Sequence, residues 1–191
     1  DFYFKTYNLT IPFIITTLIS SIITYIGVPK LKKIKIKQII REEGPKNHFL
    51  KQGTPTMGGI FFIPAGIIIS NILYFNKDNY DVILTLSFLI ILFMFIGFID
   101  DLLSLKKKLN TGLSSNQKIL LQFLVSLIFI ILCALNNFIP QNILIANKLV
   151  NIESLIYPLG IFVLLAESNS TNLTDGLDGL LSGCSVLIFT G

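Results

Sequence analysis

Charge is what this sequence has least of. Of its 191 residues only 14% are Asp, Glu, Lys or Arg, whereas 52% are hydrophobic and the mean hydropathy is +0.74. A soluble domain carries roughly 25% charged residues, so the composition excludes an ordinary water-soluble domain and calls for an integral membrane protein. Cysteine is also scarce. Cys133 and Cys184 both lie in apolar runs, where a free thiol behaves as a small hydrophobe, and this excludes a disulfide framework and a metal-thiolate centre. There is a single histidine, His48, which taken alone reads as a surface residue. No internal repeat or low-complexity tract is present. The charge run from Lys30 to Lys37 reads as a snorkelling helix end.

What is there is a series of long apolar runs. Crossing roughly 30 Å of hydrocarbon takes about 17 to 25 residues in a helix, and runs of that order occupy 9–28, 57–75, 82–99 and 119–135. A fifth, 155–166, needs its flanks, 152–167, to span, and a sixth begins at 180 and reaches 191. The expected fold is an all-α polytopic membrane protein in one integral domain, with five transmembrane helices plus the start of a sixth. The first residue is not Met and the last lies in apolar sequence, so the expectation is part of a longer protein. The first run is read as a retained span, because its basic cluster follows it whereas a signal peptide's precedes it.

The basic residues are unevenly placed. Eight of the 15 Lys and Arg fall between Lys30 and Lys51, and four more between Lys106 and Lys118. By the positive-inside rule those two segments are cytoplasmic, which puts the N-terminus, the 76–81 loop and the 136–153 segment outside. Counting spans then puts 167–179 inside, although that segment has no Lys or Arg.

Three segments on the cytoplasmic side carry chemistry. The first, His48-Phe-Leu-Lys-Gln-Gly-Thr-Pro-Thr-Met-Gly-Gly59, mixes Gly, Pro and Thr ahead of a span. Such a stretch exposes backbone N–H groups and hydroxyls that favour anions, and Lys51 adds a point charge for phosphate. A plain turn explains the spacing equally well. The second opens on Asp100-Asp101 at the end of an apolar run and continues to Lys106, Lys107 and Lys108. Two adjacent acids at the mouth of a span are costly unless something cationic uses them, which favours a bound divalent cation or a shared proton. Lysines at a cytoplasmic span end are ordinary, so at most one of the three is expected to touch a ligand. The third sets Asn169, Asn172, Asp175 and Asp178 at intervals of three. Neighbouring members share a face if the segment is helical, while Gly176 and Gly179 argue for loop, and the geometry stays open. Hard oxygen ligands suit Mg²⁺; the spacing does not fit an EF-hand.

Taken together, Gly53-Thr-Pro-Thr-Met-Gly-Gly59, Gly97-Phe-Ile-Asp-Asp101 and Asn172-Leu-Thr-Asp-Gly-Leu-Asp-Gly179 resemble the phospho-N-acetylmuramoyl-pentapeptide transferase family, within the polyprenyl-phosphate N-acetylhexosamine-1-phosphate transferase superfamily. The resemblance covers essentially the whole chain as the N-terminal portion of a fold of about ten spans. It implies Mg²⁺-dependent transfer of phospho-MurNAc-pentapeptide from UDP-MurNAc-pentapeptide to undecaprenyl phosphate, giving lipid I and UMP in peptidoglycan biosynthesis. The expected setting is the cytoplasmic face of the bacterial inner membrane. By match of position, Asp100 and Asp101 are the catalytic acids. Lys51, Thr56, Lys108, Asn169, Asn172, Asp175 and Asp178 bind substrate, and Asp100, Asp101 and Asp178 bind metal, with a further ligand expected beyond residue 191.

Two departures touch fine contacts: Asn116 stands where many members have a base, and Glu167-Ser-Asn-Ser-Thr replaces a more apolar approach. Partners are the two substrates and membrane lipid, with no nucleic acid; a homodimer is left open. The alternatives are a sister UDP-N-acetylhexosamine transferase, or a cation-coupled transporter, which calls for acids near the bilayer midplane. Without a second half, residues 1–191 are expected to be inactive.

Overall fold

The computed structural model describes residues 10–33, 56–75, 77, 80–107, 112–140, 142–175 and 179–190. Lys51, Lys108, Asp178 and His48 lie outside the described residues. Six α helices are seen among those residues: α1 Thr10–Lys33, α2 Gly59–Leu73, α3 Tyr80–Lys107, α4 Ser115–Leu135, α5 Ile156–Thr174 and α6 Leu180–Thr190. A two-stranded sheet and a short 3-10 turn, Glu153–Leu155, lie between α4 and α5. The chain divides into two compact units, Asp1–Ser115 and Asn116–Gly191.

Three helices are long and apolar enough to cross a membrane: Ile11–Leu31, Tyr80–Lys107 and Ser115–Leu135. They fall on the first, third and fourth of the expected spans. The second run forms a helix of only 15 residues, α2, about 22 Å long at 1.5 Å per residue. The fifth is apolar only to Ala166 and then continues as helix through the polar 167–174.

Few of the described residues are buried, and many large apolar side chains are exposed. Large apolar side chains face outward along the helices, including Phe13, Ile22, Ile72, Leu120 and Phe162. The two most buried of the described positions are polar, Ser126 at 0% and Gln122 at 3% exposed, ahead of the apolar Leu31 at 5% and Ala65 at 6%. In lipid, apolar side chains gain nothing by turning inward, and helices meet through small and hydrogen-bonding residues. In the first unit, the Asn71 Nδ2 group of α2 donates to Ser87 Oγ of α3 at 2.8 Å and to its own helix at the Ile67 carbonyl. Helix α1 lies against α2 at Gly27, where an added β-carbon would come within 2.7 Å of the Phe61 ring. In the second unit α5 approaches α4 at Gly160, where a β-carbon would lie 2.7 Å from Ile130 Cδ1.

The all-α expectation fails between α4 and α5. Strands β1, Asn142–Ile145, and β2, Lys148–Asn151, pair antiparallel with Ile145 opposite Lys148. The two linking residues, Ala146 and Asn147, have φ of 46° and 62°, the double left-handed geometry of a tight hairpin turn whose twist matches the strands. Alanine is poorly suited to that region. The pair Ala146→Asn with Asn147→Gly is therefore expected to stabilise the hairpin by about 1 kcal/mol, read as roughly fivefold slower amide exchange in the strands; unchanged exchange would contradict the turn assignment.

Candidate functional site

The acid pair lies within a helix. The stretch expected to be loop from Asp100 on is helix through Lys107, so Asp100 and Asp101 sit within α3. The twenty residues from Tyr80 to Ile99 already account for about 30 Å of helix, the thickness of the hydrocarbon, and the acids begin the stretch that emerges. Both are half-buried, whereas Lys106 and Lys107 in the last turn are exposed. Leu102, Leu103 and Leu105 are good helix formers, which is why the helix outlasts the membrane-length run.

Consecutive residues on a helix project about 100° apart, and the two acids take different partners. Asp101 Oδ2 accepts a 2.8 Å hydrogen bond from the Thr56 hydroxyl, 45 residues earlier. Thr56 is held at this point by an unusual turn. Met57 has φ of 67° with its side chain buried, and the Ile60 and Phe61 N–H groups close onto the Met57 and Gly58 carbonyls at the start of α2. A left-handed non-glycine residue costs about 1–2 kcal/mol, and the cost falls at the joint that brings the first motif to the second. Sequence reasoning missed Met57; its two following glycines, Gly58 and Gly59, gave the left-handed position two more obvious candidates.

Asp100 is tied to the other side. Its Oδ1 accepts the Leu113 N–H at 2.8 Å, and Lys107 Nζ donates to the Gly112 carbonyl at 2.7 Å. The 112–113 turn is thus drawn over the end of α3. Gly112 is required by proximity: a β-carbon there would strike the Asp100 carbonyl oxygen and lie 2.7 Å from Asp100 Oδ1. Of the three lysines following the pair, Lys107 holds backbone.

The second unit carries Asn169, Asn172 and Asp175. The segment expected to be partly loop is helical through Thr174, with Asp175 as the cap. Members three apart lie about 60° apart around the helix, forming a slanting stripe; Asn172 and Asp175 are exposed and Asn169 is half-buried. Asn169 is anchored: its Nδ2 donates to Gln122 Oε1 on α4 at 3.0 Å and to the Leu165 carbonyl at 2.8 Å, while Gln122 Nε2 donates to Ser168 Oγ at 2.9 Å. Gln122 was missed, and its only signal is a long polar side chain in an otherwise apolar run.

The structure therefore joins Thr56 to Asp101 in the first unit and places Asn169, Asn172 and Asp175 together on α5 in the second. No group of three His, Cys, Asp or Glu able to hold a metal occurs among the described residues. The donor chemistry still fits magnesium: Asp100 and Asp101 offer hard oxygens, a carboxylate accepts more than one bond per oxygen, and Mg²⁺ is ordinarily held by one or two carboxylates with substrate phosphates and water.

A family model described as glycosyl transferase family 4 matches residues 83–191, more than half of the chain. The chain belongs to glycosyl transferase family 4. A second match, to phospho-N-acetylmuramoyl-pentapeptide-transferase signature 1, covers residues 51–63, the segment that contains Lys51, Thr56 and Met57, and supports the resemblance drawn from the motifs.

Curated relatives point the same way. A phospho-N-acetylmuramoyl-pentapeptide-transferase of Prochlorococcus marinus (strain NATL2A) is 86% identical over the whole chain, which covers 52% of that relative. Its counterpart in a second strain of Prochlorococcus marinus is 45% identical, again over the whole chain and 52% of the relative. One of Synechococcus sp. (strain CC9311) is 45% identical over 96% of this chain and 50% of its own length. The chain spans about half the length of the curated relatives it matches.

Proposed function

We propose that this family member, at the full length of its relatives, transfers phospho-MurNAc-pentapeptide from UDP-MurNAc-pentapeptide to undecaprenyl phosphate, releasing UMP and forming lipid I at the cytoplasmic face of the bacterial inner membrane. The observation that carries the reading is the Thr56–Asp101 hydrogen bond, which ties a segment matching the muramoyl-pentapeptide signature to the acid pair at the emerging end of α3. The clustering of basic residues before Lys51 and after Lys106 supports a cytoplasmic site and an outer N-terminus.

In the reaction an oxygen of the lipid phosphate attacks the β-phosphorus of the nucleotide sugar. A new P–O bond forms, the bond from the β-phosphorus to the bridging oxygen breaks, and UMP leaves with that oxygen. Several negative charges converge, so catalysis is mostly alignment and charge compensation. Bound magnesium would supply positive charge to the pyrophosphate, held by Asp100 and Asp101. Thr56 fixes the rotamer of Asp101, and the Leu113 N–H fixes Asp100. Lys51 and Lys108 meet phosphate oxygens. A phosphate monoester with its second pKa near 6 is already largely dianionic at pH 7, so the acids position metal or lipid phosphate, and proton removal is secondary.

UMP release by the full-length protein in detergent, with Mg²⁺ and undecaprenyl phosphate, tests the proposal. Release is expected with UDP-MurNAc-pentapeptide, absent with UDP-GlcNAc, and abolished by EDTA with recovery on adding Mg²⁺. Release with UDP-GlcNAc alone would move the protein to a sister branch; none with either donor would overturn the transferase reading.

A further inference from the structure

We propose that Gln122 is a positioning residue that orients the Asn169 amide so that α5 offers its carbonyl oxygen, making this a subsite for N–H and O–H donors of the nucleotide sugar. The inference rests on the transferase reading and deepens it.

An asparagine amide has two N–H donors and one carbonyl acceptor. In Asn169 both donors are spent within the protein, on the Leu165 carbonyl at 2.8 Å and on Gln122 Oε1 at 3.0 Å. The flipped amide is forbidden, because it would set Oδ1 against the Leu165 carbonyl, an acceptor that no side-chain rearrangement can turn into a donor. The remaining functional atom of Asn169 is Oδ1. Gln122 is fixed in turn: its Nε2 donates to Ser168 Oγ at 2.9 Å, and its own main-chain carbonyl accepts the Ser126 hydroxyl at 2.8 Å. A glutamine 3% exposed on an apolar helix is costly unless its polar atoms are paired, and here both ends of the side-chain amide are engaged on α5.

Further along the stripe, Asp175 adds acceptors. Asn172 and Asp175 are exposed, and Asp175 caps the C-terminal end of α5, where main-chain carbonyls carry partial negative charge. Carbonyl and carboxylate acceptors of this kind suit uracil N–H, ribose or hexosamine hydroxyls, or amide N–H groups.

The test is steady-state kinetics on the full-length protein, comparing the parent with Gln122→Met, which keeps the volume and removes the hydrogen bonds, with Asn169→Ala, and with the double variant. Each single change is expected to raise KM for UDP-MurNAc-pentapeptide roughly tenfold and to leave KM for undecaprenyl phosphate and for Mg²⁺ unmoved. The double variant is expected to be no worse than Asn169→Ala alone. Ser168→Ala, a milder change on α5, serves as the second route if Gln122→Met folds poorly, and is expected to move the same KM in the same direction. Weaker inhibition by UMP in Asn169→Ala places the contacted donor on the nucleoside; unchanged inhibition places it on the sugar or peptide.

Multiplied losses in the double variant, or equal damage to both substrates with a lowered melting temperature, would reduce Gln122 to a packing role and overturn the inference. A shift in the Mg²⁺ requirement would assign Oδ1 to a cation and overturn it too. A parent that releases no UMP overturns the transferase reading and the inference with it.

Discussion

Replacing Asp101 by Asn is expected to cut UMP release by about 10²–10³-fold, the scale seen when one electrostatic contact to a reacting group is removed, with little change in thermal stability. The substitution is chosen for what it preserves. An asparagine carbonyl still accepts the Thr56 hydroxyl that reaches Asp101 Oδ2 at 2.8 Å, so the joint between the first motif and α3 survives while the charge is lost. Thr56→Val makes the complementary change, keeping the carboxylate and removing the donor that orients it. Its expected cost is roughly tenfold, as for one hydrogen bond to a charged group. In the double variant the two losses should not multiply, because Thr56 acts through the carboxylate. The pH dependence separates the two roles of the acid. Activity of Asp101→Asn that recovers fully at high pH would show that the residue removes a proton from the lipid phosphate; a deficit that persists at all pH values supports positioning of metal or phosphate.

What the sequence made legible was the apolar runs and the chemistry of the motifs, and what it hid was where helices end. Hydropathy records the boundary at Ile99, whereas hydrogen bonding continues to Lys107, since the leucines after the acid pair sustain a helix without needing lipid. The same happened at Ala166, beyond which α5 runs on to Thr174 through Ser, Asn and Thr residues whose individual preferences are for caps and turns. Ser170, for instance, offers its carbonyl to the Thr174 hydroxyl four residues on, a bond compatible with the helix. The hairpin escaped notice because Ala146-Asn147 lacks the glycine that usually marks such a turn, and its left-handed pair becomes visible only in the backbone angles. Within the candidate site, residue types and motif order pointed to Thr56, Asp100 and Asp101. The partners that orient side chains, Leu113, Gly112 and Gln122, carry no motif, because a main-chain N–H or a close approach is a property of position and any residue type but proline can supply the former.

Gly112 shows how sharply position can matter. Its α-carbon lies so near the end of α3 that a single added methyl group would overlap the Asp100 carbonyl oxygen and press on the carboxylate, 2.7 Å from Oδ1. The carbonyl belongs to a helix that cannot yield without breaking its own hydrogen bonds, so the 112–113 turn must lift instead. Lifting it costs the Leu113 N–H bond to Asp100 and the Lys107 bond to the Gly112 carbonyl, a charge-assisted pair that together accounts for a few kcal/mol. Gly112→Ala is therefore expected to destabilise the full-length protein by about 2–4 kcal/mol and to lower UMP release by at least about tenfold, since Asp100 loses the donor that aims it. Gly66→Ala supplies the comparison. That glycine is inside α2 with no atom within 4 Å of an added β-carbon, so the change should leave stability equal or slightly raised, as alanine favours helix over glycine by about 1 kcal/mol. Melting temperature and UMP release measured on the two variants in parallel decide the matter: a Gly112→Ala protein as stable and active as Gly66→Ala would mean that the turn does not close over Asp100, and the positioning of that carboxylate would have to come from elsewhere.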